Sequence, residues 1–198
     1  MAAPRKLLAT LALTAMFAGS AMAQSGGASD LLGVPGPIDF GGETYLLSWS
    51  SQPSEGYFKQ EYVPRGQAVE TYTEMFLIEA VLGSIRPVDA AGAQVEGLQQ
   101  RKEADPVVNY DILHNEATGE VLVDFVLSDL SADPIFVEWN AYRYVPLEGA
   151  DGLVLYGISR RGYGEDGARA LLQGLAAIRS DAIDELGQAD LPAVAVAR

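Results

Sequence analysis

The first clear alternation of apolar and polar positions lies in residues 44–50, where Tyr45, Leu47 and Trp49 occupy every second position. A two-residue period is typical of a β-strand, and it places these three side chains on one face. Residues 57–63 form a second run, and the intervening S-Q-P-S-E-G is rich in turn-forming residues. The pattern therefore predicts a β-hairpin.

Residues 71–82 fit two periods. Alternation places Tyr72, Phe76 and Ile78 on one face, whereas a helical spacing would group Tyr72 and Phe76 with Ala80. The aromatic and β-branched content favours a strand, and a helix stays open as the alternative. The polar residues 83–105 predict a linker with some helical content.

Two further β runs, residues 107–114 and 120–128, flank the turn N-E-A-T-G, in which Gly119 can adopt a positive φ. Strands are also predicted over residues 135–145 and 153–160. Residues 168–186 then form an amphipathic helix, with Asp166 as the N-cap and Gly187 just past its end. Its apolar stripe consists of Leu171, Leu175, Ile178 and Ala182.

About six to seven strands thus precede one strong helix, without repeated strand–helix alternation. This order predicts an α+β fold in which an antiparallel β-sheet packs on one face against the C-terminal amphipathic helix. We expect one domain over residues 41–190, a flexible Gly/Ser/Pro-rich lead-in over residues 24–40 and a tail over residues 191–198, either frayed or a short edge strand.

The N-terminus has a targeting pattern. Arg5 and Lys6 precede an apolar run over residues 7–18, and Ala21-Met22-Ala23 forms an A-x-A cleavage site. The pattern predicts a signal peptide over residues 1–23, cleaved near Ala23, and a bacterial periplasmic or secreted protein without stable membrane insertion after cleavage. An uncleaved membrane anchor is the alternative.

The composition excludes or disfavours several kinds of functional site. With 27 acidic against 13 basic residues, the chain has a formal charge of −14, which disfavours nucleic-acid binding. There is no cysteine, so thiol nucleophiles, disulfides and thiolate metal sites are excluded. The single histidine, His114, excludes a multi-histidine zinc site. We therefore expect no metal and no cofactor.

The residues Gly162, Gly164 and Gly167 spell G-x-G-x-x-G between a predicted strand and a helix. A dinucleotide site would need a second parallel strand after that helix, and too little chain remains for one. Glu165 and Asp166 would also compete with a bound phosphate at the helix N-terminus. We predict a strand-to-helix turn rather than a nucleotide site.

The predicted ligand or partner surface consists of Arg160, Arg161, Glu138, Tyr142 and Tyr144. Adjacent strand residues point to opposite faces, so the two arginines cannot both serve one pocket, and one could pair with a sheet-face carboxylate such as Asp124 or Glu138. Glu138 and the two tyrosines share one face of a strand. A polar, aromatic sheet face is typical of a binding surface, and also of the solvent face of an antiparallel sheet.

Catalytic residues are not singled out. His114 could act as a base beside Asp111 or Asp124, but no nucleophile elbow is present and the histidine adjoins a turn. No acidic loop matches a calcium motif, and no two carboxylates stand out as a glycosidase pair.

The run E-Y-V-P-R-G-Q over residues 61–67, followed by Thr73 and Met75, resembles a segment of uncharacterised exported proteobacterial proteins. The order of elements is similar to that of the Mog1/PsbP-type α+β sandwich. This resemblance implies a binding or assembly accessory and supplies no catalytic residues.

These observations predict an exported, non-enzymatic binding or accessory domain that uses its sheet face or a cleft beside the C-terminal helix. Its partner would be an unknown protein or small molecule. A small periplasmic hydrolase using His114 or a carboxylate pair, and a structural subunit of an envelope complex, are the alternatives.

Overall fold

The computed structural model describes residues 28–196, which form a curled antiparallel sheet of eight strands and two helices. The strands are β1 (Ile38–Phe40), β2 (Glu43–Ser54), β3 (Tyr57–Pro64), β4 (Glu74–Leu82), β5 (Asn109–Asn115), β6 (Glu120–Asp129), β7 (Phe136–Pro146) and β8 (Gly152–Tyr163). The helices are α1 (Pro87–Arg101) and α2 (Gly164–Gln188). The α+β class is confirmed, with eight strands rather than six to seven.

The strands lie in the order β1-β2-β3-β4-β8-β7-β6-β5. Every neighbouring pair is antiparallel, and both predicted hairpins, β2–β3 and β5–β6, are present. The ambiguous segment is the strand β4, which lies between β3 and β8 near the centre of the sheet. A strand buried at both edges and on both faces requires the β-branched and aromatic content that this segment has.

A β-bulge in β2 corrects the expected orientation of Trp49. Leu47 pairs with Tyr62 and Trp49 pairs with Glu61, so Ser48 is an extra residue between the two pairs. The extra residue moves Trp49 to the opposite face from Leu47. The sequence pattern alone, in which the two side chains alternate regularly, gave no sign of this insertion.

Helix α1 occupies part of the segment that we expected to be a linker, and it covers the second face of the sheet. It packs chiefly against β5, β6 and β7 through the small residues Ala90 and Ala91 and through Leu98. Because its buried stripe is mostly alanine, its hydrophobic periodicity is weak. The sheet therefore has a helix on each face: α2 covers one face as predicted, and α1 covers the other, which the sequence did not predict.

Each face of the sheet has its own core. Under α2 lie Phe76, Ile158 and Trp139, all at most 4 % exposed. On the α1 side lie Val123 and Phe125, at most 3 % exposed. We call these two sides the α2 face and the α1 face.

Helix α2 is longer than predicted at both ends. Tyr163 rather than Asp166 is the N-cap, and Gly187 lies within the helix, which ends at Ala189 as its C-cap. Gly164 has a φ of +64°, which favours glycine. A Cβ on Gly162 would lie 2.2 Å from the carbonyl oxygen of Gly167, so the first turn of α2 contacts the end of β8 directly. The glycine motif therefore has a packing role.

The lead-in is ordered against the core where the structure describes it. Leu32 is fully buried, and its backbone N–H and that of Val34 donate to the Asp30 carboxylate. From residue 28 onward these apolar side chains extend the α2-face core, and the flexibility of the lead-in stays a prediction. The tail also returns to this region, where the Ala195 N–H donates to the Leu32 carbonyl.

The predicted signal peptide, residues 1–23, lies outside the described residues. Within residues 28–196, neither helix combines the length and apolar character needed to cross a membrane.

Candidate functional site

The five residues predicted as a surface separate into two groups. Arg161 pairs in register with Glu138, and Tyr142 and Tyr144 follow Glu138 at every second position of β7, so these four lie on the α1 face. Arg160 lies on the α2 face, where its Nε is 3.6 Å from a carboxylate oxygen of Glu74. Arg160 is therefore not part of the candidate site, because adjacent residues of a strand point to opposite faces of the sheet.

Arg161 and Glu138 form the most enclosed ion pair of the α1 face. The Arg161 Nε donates to the Glu138 carboxylate, which also accepts a hydrogen bond of 2.6 Å from the Tyr72 hydroxyl. The guanidinium carbon lies 4.3 Å from the centre of the Tyr72 ring and 4.4 Å from that of Phe136. Of the two carboxylates that the sequence offered as partners, Glu138 rather than Asp124 is the one that engages the arginine.

The Glu138 carboxylate continues into a hydrogen-bonded chain along the strands. The Asn140 amide donates to it at 3.0 Å, and the Ser159 hydroxyl donates to the Asn140 carbonyl oxygen. Asn140 and Ser159 are at most 2 % exposed. Around Glu138 the α1 face is therefore an enclosed polar interior, and the interpretation of this part as a plain solvent face is wrong.

A second polar group lies farther along the sheet, where α1 makes few contacts. The Lys59 ammonium lies 3.0 Å from one oxygen of Glu79, and the Tyr57 hydroxyl donates to the other oxygen at 2.6 Å. The Lys59 side chain remains 27 % exposed and that of Glu79 11 % exposed. This part of the α1 face therefore opens to solvent while its carboxylate is largely enclosed.

Glu61 lies between these two groups, in a row of register partners that crosses the sheet. Trp49 is its partner on β2 and Leu77 its partner on β4, and Gly157 and Tyr142 continue the row. A Cβ on Gly157 would lie 2.9 Å from the Tyr142 ring, so this ring leans over the glycine towards Leu77. The row places an acidic side chain between two aromatic ones.

We call this open part of the α1 face the polar recess. Its members are the side chains of three neighbouring rows that contribute charge, a hydroxyl group or an aromatic ring: Trp49, Tyr57, Lys59, Glu61, Glu79, Tyr142 and Tyr144.

Glu61 has the most perturbed carboxyl group of the recess. Burial raises its pKa from 4.5 to about 7, and the neighbouring Glu79 and Glu138 charges add to this, while Lys59 and Arg161 act in the opposite direction. Its carboxyl group accepts no hydrogen bond from any residue in the described part of the chain. A carboxyl group that is neither exposed nor paired is typical of a functional site.

Tyr144 supplies a second unsatisfied polar group. Its side chain is fully buried, and its hydroxyl group has no hydrogen-bond partner among residues 28–196. Burial and the Glu79 charge raise its pKa above the ordinary range. Tyr144 and Glu79 lie in one register row, separated by Leu155. The hydroxyl group therefore faces the enclosed side of the recess.

His114 lies elsewhere, in the wall of an open cleft of about 750 Å³ at the end of the sheet. The cleft is formed by the start of α1 and by the β5–β6 and β7–β8 turns, and Ser84 and Asp151 also line it. Within the described chain, the imidazole makes no hydrogen bond to a serine or an acid. The geometry therefore gives this histidine no catalytic partner.

The acids that the sequence placed near His114 are engaged by α2 instead. Arg179 donates to Asp124 at 2.7 Å and also to Asp111, and the Trp139 indole N–H donates to Asp124 at 3.3 Å. The arrangement fastens α2 to β5 and β6. In the part of the chain described, no group of three or more His, Asp or Glu side chains could hold a metal ion.

Two smaller clefts lie beside the C-terminal helix, with volumes of about 240 and 520 Å³. Arg143 lines both and is held by Glu120 and by the carbonyl groups of Leu186 and Ala189. Its guanidinium therefore caps the end of α2 and is not free to bind a ligand.

The sequence singled out only the β7 and β8 part of this site. Trp49, Lys59 and Glu61 were missed because β2 and β3 meet β7 only through the strand order, which local periodicity does not encode. The one available signal was the run of charged residues at alternate positions 59 and 61 of a predicted strand, on the face opposite to Phe58 and Tyr62.

Neither the curated proteins nor the solved structures yielded a match to this chain, and the likeness to the Mog1/PsbP-type sandwich stays a prediction. A protein-family model matches residues 32–191, a range that includes both helices and all eight strands of the described chain. The chain therefore belongs to the family that this model describes.

Proposed function

We propose that this protein is an exported, non-enzymatic binding or accessory domain that holds a ligand in the polar recess. The observation that carries the proposal is the Glu61 carboxyl group, which lies beside Trp49 in the register row and has no hydrogen-bond partner in the described chain. Burying such a group disfavours folding, so its position calls for a reason other than stability.

The rest of the face supports a rigid binding surface. The Arg161–Glu138 pair and the chain through Asn140 hold the neighbouring strands in fixed register, which keeps the recess side chains in place before a ligand arrives. The hydrolase alternative lacks a comparable arrangement, because the His114 imidazole has no acid or serine within hydrogen-bond distance in the described chain.

The proposed location rests on the basic and apolar segments that precede Ala23. Expressing the full chain in a Gram-negative bacterium and fractionating the cells tests it. We expect a periplasmic product shortened by about 23 residues. A full-length product in the membrane fraction would instead support the uncleaved anchor.

Titration of the isotopically labelled mature domain with small probes tests the recess itself. Butylammonium, butyrate and butanol share one alkyl chain and differ only in charge. We expect at least one of them, at up to about 50 mM, to shift the Trp49 indole and Gly157 amide resonances. Trp49→Ala, followed at the Gly157 amide resonance, should abolish the shift, and Leu130→Ala, at an exposed loop position, should not.

If none of the three probes moves these resonances, the recess is not a binding site. Co-purification of the chain with one fixed partner, with the recess buried between them, would instead favour a structural subunit.

A further inference from the structure

We propose that the polar recess binds the primary ammonium group of a small organic amine, with the Glu61 carboxylate as its counter-ion. The inference rests on the proposed function, because it names the chemical class of ligand for the same site.

The first argument is the balance of charge. The Lys59 ammonium is paired with Glu79, and the Arg161 guanidinium with Glu138. Beside these two pairs, Glu61 is a further carboxyl group and has no ion-pair partner in the described chain. The recess is therefore one positive charge short when Glu61 is ionised, and a ligand cation would supply that charge.

The second argument is the aromatic lining. Trp49 lies beside Glu61 in the register row, and Tyr142 lies across Leu77 and Gly157 from it. Trp49 is half-buried, so its indole has surface left to contact a ligand beside Glu61, whereas the Tyr142 ring packs edge-on against Phe125 at a centroid distance of 5.0 Å and borders the recess from β7. Indole and phenol rings attract cations over their faces, and carboxylate with aromatic rings is a common recognition set for ammonium groups.

The third argument is the Tyr144 hydroxyl group, which is buried without a partner in the described chain. Its oxygen can accept a hydrogen bond, and an ammonium group offers three N–H donors. A buried polar atom left unsatisfied in a folded protein needs such an explanation. An anionic ligand would instead meet Glu61 and Glu79, so the same residues disfavour it.

Binding would also be linked to pH. The groups that face Glu61 are Lys59 on its own strand, Glu79 on β4, Glu138 on β7 and Arg161 on β8. An ammonium group adds a positive charge to this set and favours the ionised form of Glu61. Binding near neutral pH should therefore release a proton, and acidification should weaken it.

The test uses butylammonium with the mature domain and three variants at pH 8.0 and pH 5.5. Glu61→Gln removes the charge and should weaken binding at pH 8.0 about tenfold or more. Tyr144→Phe removes only the hydroxyl group and should weaken binding a few-fold. Glu70→Gln, at an exposed position, is the control and should match the parent. The parent should bind more weakly at pH 5.5, and Glu61→Gln should lose this difference.

Each outcome decides a separate point. If butyrate or butanol shifts the recess resonances and butylammonium does not, the recess is a binding site but its ligand is not a cation. If butylammonium binds Glu61→Gln as tightly as the parent, Glu61 is not the counter-ion and the inference is wrong. If no probe binds at all, the proposed function fails together with the inference.

Discussion

Replacing Glu61 by glutamine should stabilise the protein at alkaline pH and have little effect in acid. The carboxyl group of Glu61 has its pKa raised from 4.5 to about 7, first by burial and then by the Glu79 and Glu138 charges. Glutamine occupies nearly the same volume and stays neutral, so the substitution removes the ionisation and leaves the packing intact.

The magnitude follows from the two pKa values. Below pH 4.5 the folded and unfolded states both hold the proton, and Glu61 has no net effect on stability. Between pH 4.5 and 7 the folded state keeps the proton that the unfolded chain releases, so the free energy of unfolding falls as the pH rises. Above pH 7 the ionisation of Glu61 has lowered the free energy of unfolding by about 3 kcal/mol relative to acidic pH.

Urea denaturation followed by far-UV circular dichroism measures this effect. The free energy of unfolding of Glu61→Gln minus that of the parent should rise by about 3 kcal/mol between pH 4.5 and pH 8. All other titrating groups are common to both proteins and largely cancel. Glu70→Gln, at an exposed glutamate, should give a flat difference. A flat or falling difference for Glu61→Gln would refute the assignment of a buried, unpaired carboxyl group.

Four further substitutions test the neighbouring structure by the same urea assay. Arg161→Gln should lower the free energy of unfolding by about 3–5 kcal/mol because it leaves Glu138 without an ion-pair partner. Arg160→Gln, which removes the pair with Glu74, should lower it by at most about 1 kcal/mol. Equal losses for the two variants would contradict the different environments of the two arginines. Gly157→Ala should cost about 1–3 kcal/mol, since its Cβ would lie 2.9 Å from Leu77 and from the Tyr142 ring, and a neutral effect would show that the ring moves freely. Asp105→Asn should cost about 1–3 kcal/mol at neutral pH because the carboxylate accepts bonds from the Ser128 N–H and hydroxyl groups. The Asp105 pKa lies below 3.8 despite burial, so this loss should shrink only as the pH falls below that value.

Local periodicity was enough to predict most of the strands. Regular alternation and a turn with Gly119 correctly predicted the β5–β6 hairpin, and aromatic content correctly favoured a strand for β4. Helix α1 was predicted only as some helical content within a linker, because its buried residues Ala90 and Ala91 carry little hydrophobic signal. Alanine lets a helix pack close to a sheet. Because alanine is only weakly hydrophobic, the buried side of such a helix does not stand out from the exposed side in the sequence.

The site was predictable only in part, for a different reason. Glu138, Tyr142 and Tyr144 lie on one strand, so a two-residue period correctly groups them. Glu61 reaches the same face through the order β3-β4-β8-β7, which places strands distant in sequence side by side. Trp49 depends in addition on a bulge at Ser48, and bulges leave no reliable mark in the sequence.

The glycine motif shows how packing alone can select a functional-looking pattern. Gly162 and Gly167 allow the first turn of α2 to contact the end of β8, and Gly164 adopts the positive φ at that junction. Each glycine thus meets a local steric need, and none requires a bound phosphate.

The titration of the Glu61 side-chain carboxyl carbon, followed by NMR with and without butylammonium, tests the recess most directly. In the free protein we expect a midpoint near pH 7, and with the amine bound we expect the midpoint to move towards 4.5. A midpoint near 4.5 that does not respond to the amine would show that Glu61 is an ordinary solvated carboxylate and that the recess holds no ammonium group.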